Sequence, residues 1–117
     1  MVKWPTIIFM LVIHLLAGVA LLPQFWSWGS VATLFILYWV TACLGVTLGY
    51  HRLLSHRSFK VPQWLARFFA TCGALSAEYG PITWAGIHRQ HHKYSDTNED
   101  PHDMNKGFWW SHIGWMF

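Results

Sequence analysis

Five imidazoles in two short motifs are the side chains of this sequence most able to act together: His51-Arg-Leu-Leu-Ser-His56 and His88-Arg-Gln-His91-His92. Seven of the eight histidines lie at or beyond position 51, so the search for chemistry narrows to that half. On an α-helix turning about 100° per residue, His88 sits roughly 60° from His91 and roughly 40° from His92, close enough to share a metal with either. His91 and His92 diverge by about 100°, which lets one motif feed two metal centres. His51 and His56 would stand about 140° apart on a continuous α-helix, so their convergence on one ion predicts a helix end between them. Imidazole suits iron, zinc, copper and nickel, and ligand type alone leaves the metal open. A zinc peptidase needs a Glu inside H-E-x-x-H, but Arg89 and Gln90 fill the gap here. No Cys and no carboxylate lies among these histidines. An all-imidazole site fits redox chemistry better than hydrolysis. Cys43 and Cys72 sit in apolar surroundings without a C-x-x-C pairing, and are expected to be buried thiols.

The elements that must position these histidines follow from a lopsided composition. Of the 117 residues, 54% are hydrophobic and 11% charged, against roughly 25% charged in a soluble globular protein. Lys3 is the only charged residue among the first 50. The net charge of +3 does not imply nucleic acid, because Arg52, Arg57, Lys60 and Arg67 follow the apolar half directly, as membrane-flanking charges do. Residues 5–22 and 31–50 are apolar runs; about 20 residues at 1.5 Å rise cross a hydrocarbon core of ~30 Å. Residues 5–22 lack a small-x-small cleavage pattern, which argues against a secretory signal. The expected architecture is an all-α membrane protein. Two transmembrane helices form an antiparallel hairpin, residues 62–78 an interfacial amphipathic helix with Gln63, Arg67 and Thr71 on its polar stripe, and residues 83–94 a histidine-bearing helix. The basic cluster after Tyr50 puts residues 51–117 on the cytoplasmic face.

The boxes and their flanks resemble the integral-membrane fatty acid desaturases. Gly49-Tyr50-His51-Arg52-Leu53-Leu54-Ser55-His56-Arg57 and His88-Arg89-Gln90-His91-His92-Lys93-Tyr94-Ser95-Asp96 are similar to the delta-9, stearoyl-type branch, as are Asp100-Pro101-His102-Asp103 and Gly107-Phe108-Trp109-Trp110-Ser111-His112-Ile113-Gly114-Trp115. The resemblance covers essentially the whole chain from residue 5. It implies an oxidoreductase with two iron ions that uses O2 and two electrons to remove two hydrogens from adjacent methylenes, in unsaturated fatty acid biosynthesis. Carried over by position, His51, His56, His88 and His91 would share one iron and His92 would turn to the other. The resemblance supplies no catalytic residue apart from these ligands.

Two departures qualify the resemblance. Family members carry a third H-x2-H-H box and a further His beyond the point where this chain stops, so a partial desaturase domain over residues 1–117, inactive alone, is expected. Animal-type acyl-CoA desaturases carry an Arg-Asp pair before the second box, whereas residues 80–87 are uncharged here. That favours an acyl-lipid substrate with ferredoxin as donor over acyl-CoA with a cytochrome b5-type donor. The alternatives are a membrane hydroxylase or ketolase on the same boxes, or an inactive membrane metal-binding fragment. His14, His102 and His112 are expected to be structural, and Trp84 a packed aromatic.

Overall fold

The computed structural model describes residues 3–117, and the described residues are helical, with no strand among them. Helix α1 (Trp4–Ala20) starts with Pro5 in its first turn, where a missing N–H costs nothing. A single 3-10 turn (Pro23–Phe25) leads to α2 (Trp28–Tyr38), capped by Ser27, whose Oγ accepts the Ser30 N–H at 3.0 Å. No residue of α1 or α2 is buried, although nearly every side chain is apolar. Leu11, Leu15, Leu16, Leu34 and Phe35 are all more than half exposed. An apolar surface of that extent calls for an apolar surrounding or a covering partner.

The two expected spans fare differently. Residues 28–55 run as one continuous helix of 28 residues, long and apolar enough to cross a membrane, so the span expected at 31–50 extends past both ends. Helix α1 stops at Ala20 and, at 17 residues, reaches about 26 Å, short of the ~30 Å core. The structure therefore leaves the hairpin unconfirmed.

The helix ends at Ser55, so the end expected between His51 and His56 is found, at the last position that allows it. From Trp39 to Ser55 the helix changes winding to a π-helix, in which the backbone bonds run i→i+5. The His56 N–H donates to the His51 carbonyl at 3.0 Å. Residues five apart then follow one another up the same face, which brings the imidazole of His56, the C-cap residue, to that of His51 at the helix end.

Helix α3 (Gln63–Ala74) packs along this π segment. It is shorter than the expected 62–78 because Ala77 and Tyr79 take positive φ of 61° and 97°, left-handed values that close a right-handed helix. Gln63, Arg67 and Thr71 are exposed as expected, but so are Trp64, Phe68 and Leu75 from the other face. Phe69, Cys72 and Gly73 carry the contact. It is close because glycine faces glycine: a Cβ on Gly45 would overlap the backbone of Cys72 and Gly73, and one on Gly73 would come within 2.5 Å of the Tyr50 ring. Tyr50 is fully buried in the resulting junction and its hydroxyl donates to the Tyr79 carbonyl at 3.3 Å. Cys43 and Cys72 are free thiols, Cys72 buried and Cys43 half-buried.

Helix α4 (Pro81–Tyr94) begins after Gly80, with Pro81 at its first position, and also packs on the π segment. A polar loop, a 3-10 turn (Met104–Lys106), α5 (Phe108–His112) and a final 3-10 turn (Gly114–Met116) complete the described chain.

The glycine contact is testable by a pair of substitutions. Gly73→Ala should destabilise the protein by about 1–3 kcal/mol, as overpacking does. Gly86→Ala, in the middle of α4 with nothing within 4 Å of an added Cβ, should be neutral or stabilise by up to about 1 kcal/mol through helix propensity. Thermal unfolding in detergent reads both.

Candidate metal centre

The π segment delivers His51 and His56, and α4 delivers His88 and His92 from adjacent turns of one face. Their ligand atoms all lie within 4.8 Å of one another. The Nε2 of His56 is 3.0 Å from that of His51 and 3.1 Å from that of His88, and the Nε2 of His92 is 3.0 Å from that of His88. Each neutral imidazole nitrogen has either one proton or one lone pair. A row of three such contacts makes His56 and His88 each serve two partners with one proton or one lone pair, so hydrogen bonding alone satisfies the set poorly. A cation satisfies it well. Four nitrogens about 2.1 Å from an ion stand about 3.4 Å apart in a tetrahedron and about 3.0 Å apart at right angles, the spacing found here.

The electrostatics favour the metal-binding form. Burial, reinforced by repulsion from His51, His92, His56 and His91, holds the His88 pKa down to about 4, so its lone pair stays available at neutral pH. Trp84 stacks on His88 with centroids 4.9 Å apart and planes 25° apart, and its indole N–H donates to Glu78 Oε2 at 3.2 Å. It is packed, as expected, and it also lines a cavity of about 360 Å³ with Tyr79, Ile87, His88, His102 and Trp115. A second cavity, of about 580 Å³, runs under α1 along Phe9, Met10 and Ile13 and shares Glu78, Tyr79 and Met116 with the first.

The division of the histidines differs from the one the resemblance implies. His92, one turn after His88, joins the four-imidazole group, while His91 is turned away. His91 groups instead with Asp100 and His102; its Nδ1 is 2.9 Å from both Asp100 oxygens and its ring stacks on His102, centroids 4.2 Å apart. The cause is helical: the residues of α4 four apart share the face packed on the π segment, and the intervening one points to the 95–101 loop. His102, expected to fix a loop, thus lies beside a box histidine. His14 Nδ1 donates to the Met10 carbonyl of its own helix at 2.7 Å, and His112 stacks on Phe108; both stand apart from the two groups.

Two residues of the site were not singled out in the sequence. Arg89 donates from Nη2 to the Leu54 carbonyl at 2.6 Å and from Nε to the Ser55 carbonyl at 3.1 Å. It satisfies terminal carbonyls of the π segment that have no partner in their own helix, and so clamps the two boxes together. An Arg inside a histidine box was the available signal. Asp100, 2% exposed, is the other; the Asp100-Pro101-His102-Asp103 segment that carries part of the resemblance was the signal available for it.

Two imidazoles at the end of a long apolar helix and two from α4, converging beside an apolar cavity, define a candidate histidine metal site set at a membrane-type helix. The model of the family described as fatty acid desaturase matches residues 26–117, and the chain belongs to that family. It is 58% identical over 113 residues to the sn-1 stearoyl-lipid 9-desaturase of Synechocystis sp., covering 97% of this chain and 36% of that protein. It is 52% identical over 115 residues to the protein of the same description in Anabaena variabilis, covering 98% and 42%. An acyl-CoA C20 Delta5-desaturase of Anemone leveillei is 46% identical over 95 residues, 81% of this chain and 30% of that one. The chain thus spans well under half the length of these relatives.

Arg89→Met should lower metal affinity at the four-imidazole group and destabilise the metal-free protein by about 1–3 kcal/mol, because two carbonyls lose a charged donor. Iron titration and thermal unfolding check both effects; Gln90→Met, whose side chain bonds only the Glu99 carbonyl, should leave metal affinity unchanged.

Proposed function

We propose that the intact protein is an acyl-lipid delta-9 desaturase, and that this chain supplies its first two histidine boxes. The observation that carries the proposal is the convergence of His51, His56, His88 and His92 on one point next to an apolar cavity lined by His88 itself. The desaturation balances as R–CH2–CH2–R′ + O2 + 2 electrons + 2 H+ giving R–CH=CH–R′ + 2 H2O. An unactivated C–H bond does not yield to acid–base groups, so iron bound by these imidazoles would supply the O2-activating redox chemistry. The chain's own part is to hold the ligands, exclude water and align the acyl chain. The cavities beneath α1 and beside Trp84 share an apolar lining suited to a hydrocarbon, and Trp84 and His88, stacked on one another, both line the second of these.

Iron as the metal, with two ions, is part of the proposal, as are all five box histidines as ligands. An acyl-lipid substrate is favoured by the uncharged stretch at residues 80–87 and by relatives described as stearoyl-lipid desaturases; a ferredoxin-type donor goes with that choice. The membrane arrangement we propose is α1 and the 28–55 helix as a spanning hairpin, α3 in the interface and residues 51–117 on the cytoplasmic side. Its support is the exposed apolar surface of both helices and the Arg52, Arg57 and Lys60 cluster at their exit.

Expression of the complete reading frame in a desaturase-deficient host, with fatty-acid profiling, tests the function. The expected product is a chain with one new cis double bond, absent in His51→Ala, His56→Ala, His88→Ala and His92→Ala and retained in His14→Ala and His112→Ala. A hydroxylated or keto product would overturn the reading in favour of a related oxygenase.

A further inference from the structure

Asp100 is buried at 2% exposure in a part of the chain that is otherwise polar loop, and its carboxylate is fully engaged. Oδ1 accepts the His102 backbone N–H at 3.1 Å and Oδ2 the Asp96 backbone N–H at 3.1 Å. Both oxygens also lie 2.9 Å from His91 Nδ1. An ionised carboxylate offers about four lone-pair sites, and two backbone donors plus one shared imidazole N–H use them. Little is left for Asp100 to offer a metal directly. The two backbone N–H groups aimed at the carboxylate, one to each oxygen, mark both oxygens as acceptors.

A carboxylate that accepts from its other neighbours and faces Nδ1 decides which ring nitrogen of His91 carries the proton. With the proton on Nδ1, the lone pair belongs to Nε2, and an imidazole held this way by a carboxylate is oriented and made more basic as a metal ligand. The His102 ring, stacked at 24° on His91, fixes the remaining rotation. His91 is also the one box histidine outside the four-imidazole group. We propose that Asp100 is a positioning residue that fixes the Nδ1–H tautomer of His91, reserving its Nε2 for a second metal ion distinct from the one at His51, His56, His88 and His92. The proposal rests on the desaturase reading above, which requires two ions, and adds to it a residue outside the histidine boxes.

Anaerobic Fe(II) titration of the intact protein tests it, with wild type, Asp100→Asn, His91→Ala and the double variant compared. Asn keeps the size but replaces one acceptor oxygen by a donor, which favours the opposite tautomer. The expected result is one ion bound as in wild type and the other weakened by about 10- to 100-fold, with the double variant no worse than His91→Ala alone. Undiminished binding of both ions in Asp100→Asn, additive losses in the double variant, or equal weakening of both ions together with a lowered melting temperature of the metal-free protein would overturn the proposal and leave Asp100 a loop-fixing residue. Should Asp100→Asn not fold, nitrogen-15 NMR of the metal-free wild type decides: a proton on His91 Nδ1 supports the proposal and one on Nε2 overturns it. Wild type that binds one ion only would defeat the two-ion reading itself, an outcome separate from the others.

Discussion

The site depends on one backbone choice, the change from i→i+4 to i→i+5 winding at Trp39. Imidazoles five residues apart face different directions on an α-helix and neighbouring directions on a π-helix, so the metal group exists only because residues 39–55 are wound wide. Wide winding is uncommon and usually confined to single turns near functional sites. Here the segment is supported on two sides. Gly45 and Gly49 let α3 approach the widened backbone, burying Tyr50 between the helices. Arg89 and the Ser55 hydroxyl, which donates to the Tyr50 carbonyl at 2.7 Å, take up carbonyls at the segment's end. The same contacts that hold the winding therefore set the distance between the two histidine boxes.

This constraint also explains what the sequence did and did not disclose. The two boxes, the α4 helix and the long apolar helix were legible because they follow from residue type and α-helical period. The meeting of His51 with His56 and the helix end between them were foreseen; the π winding that leads up to that end was not, because the α-helical period carries no sign of it. The exchange of His91 and His92 was equally closed to sequence reading, because roughly 60° and roughly 40° from His88 are both acceptable for a shared ligand. What decides between them is which face of α4 packs on the π segment, a tertiary fact. Asp100 and Arg89 stayed hidden for the same reason, each acting across contacts of 9 to 35 residues in separation. The length of α1 differs through a local cause: Leu21 and Leu22 are apolar enough to extend a span by composition, yet the chain turns there before Pro23.

Two kinds of surface meet in the molecule. Helices α1 and α2 bury nothing and expose almost only hydrocarbon, whereas the region after Ser55 uses charges, capped turns and a buried carboxylate. The four-imidazole group lies at that boundary, where the apolar cavity beside Trp84 meets the polar loops.

Anomalous X-ray diffraction at the iron edge on crystals of the intact protein tests the central claim most directly. An anomalous peak is expected within about 2.1 Å of the Nε2 atoms of His51, His56, His88 and His92 together. A peak bound by His91 in place of His92, or α-helical winding of residues 39–55, would contradict it.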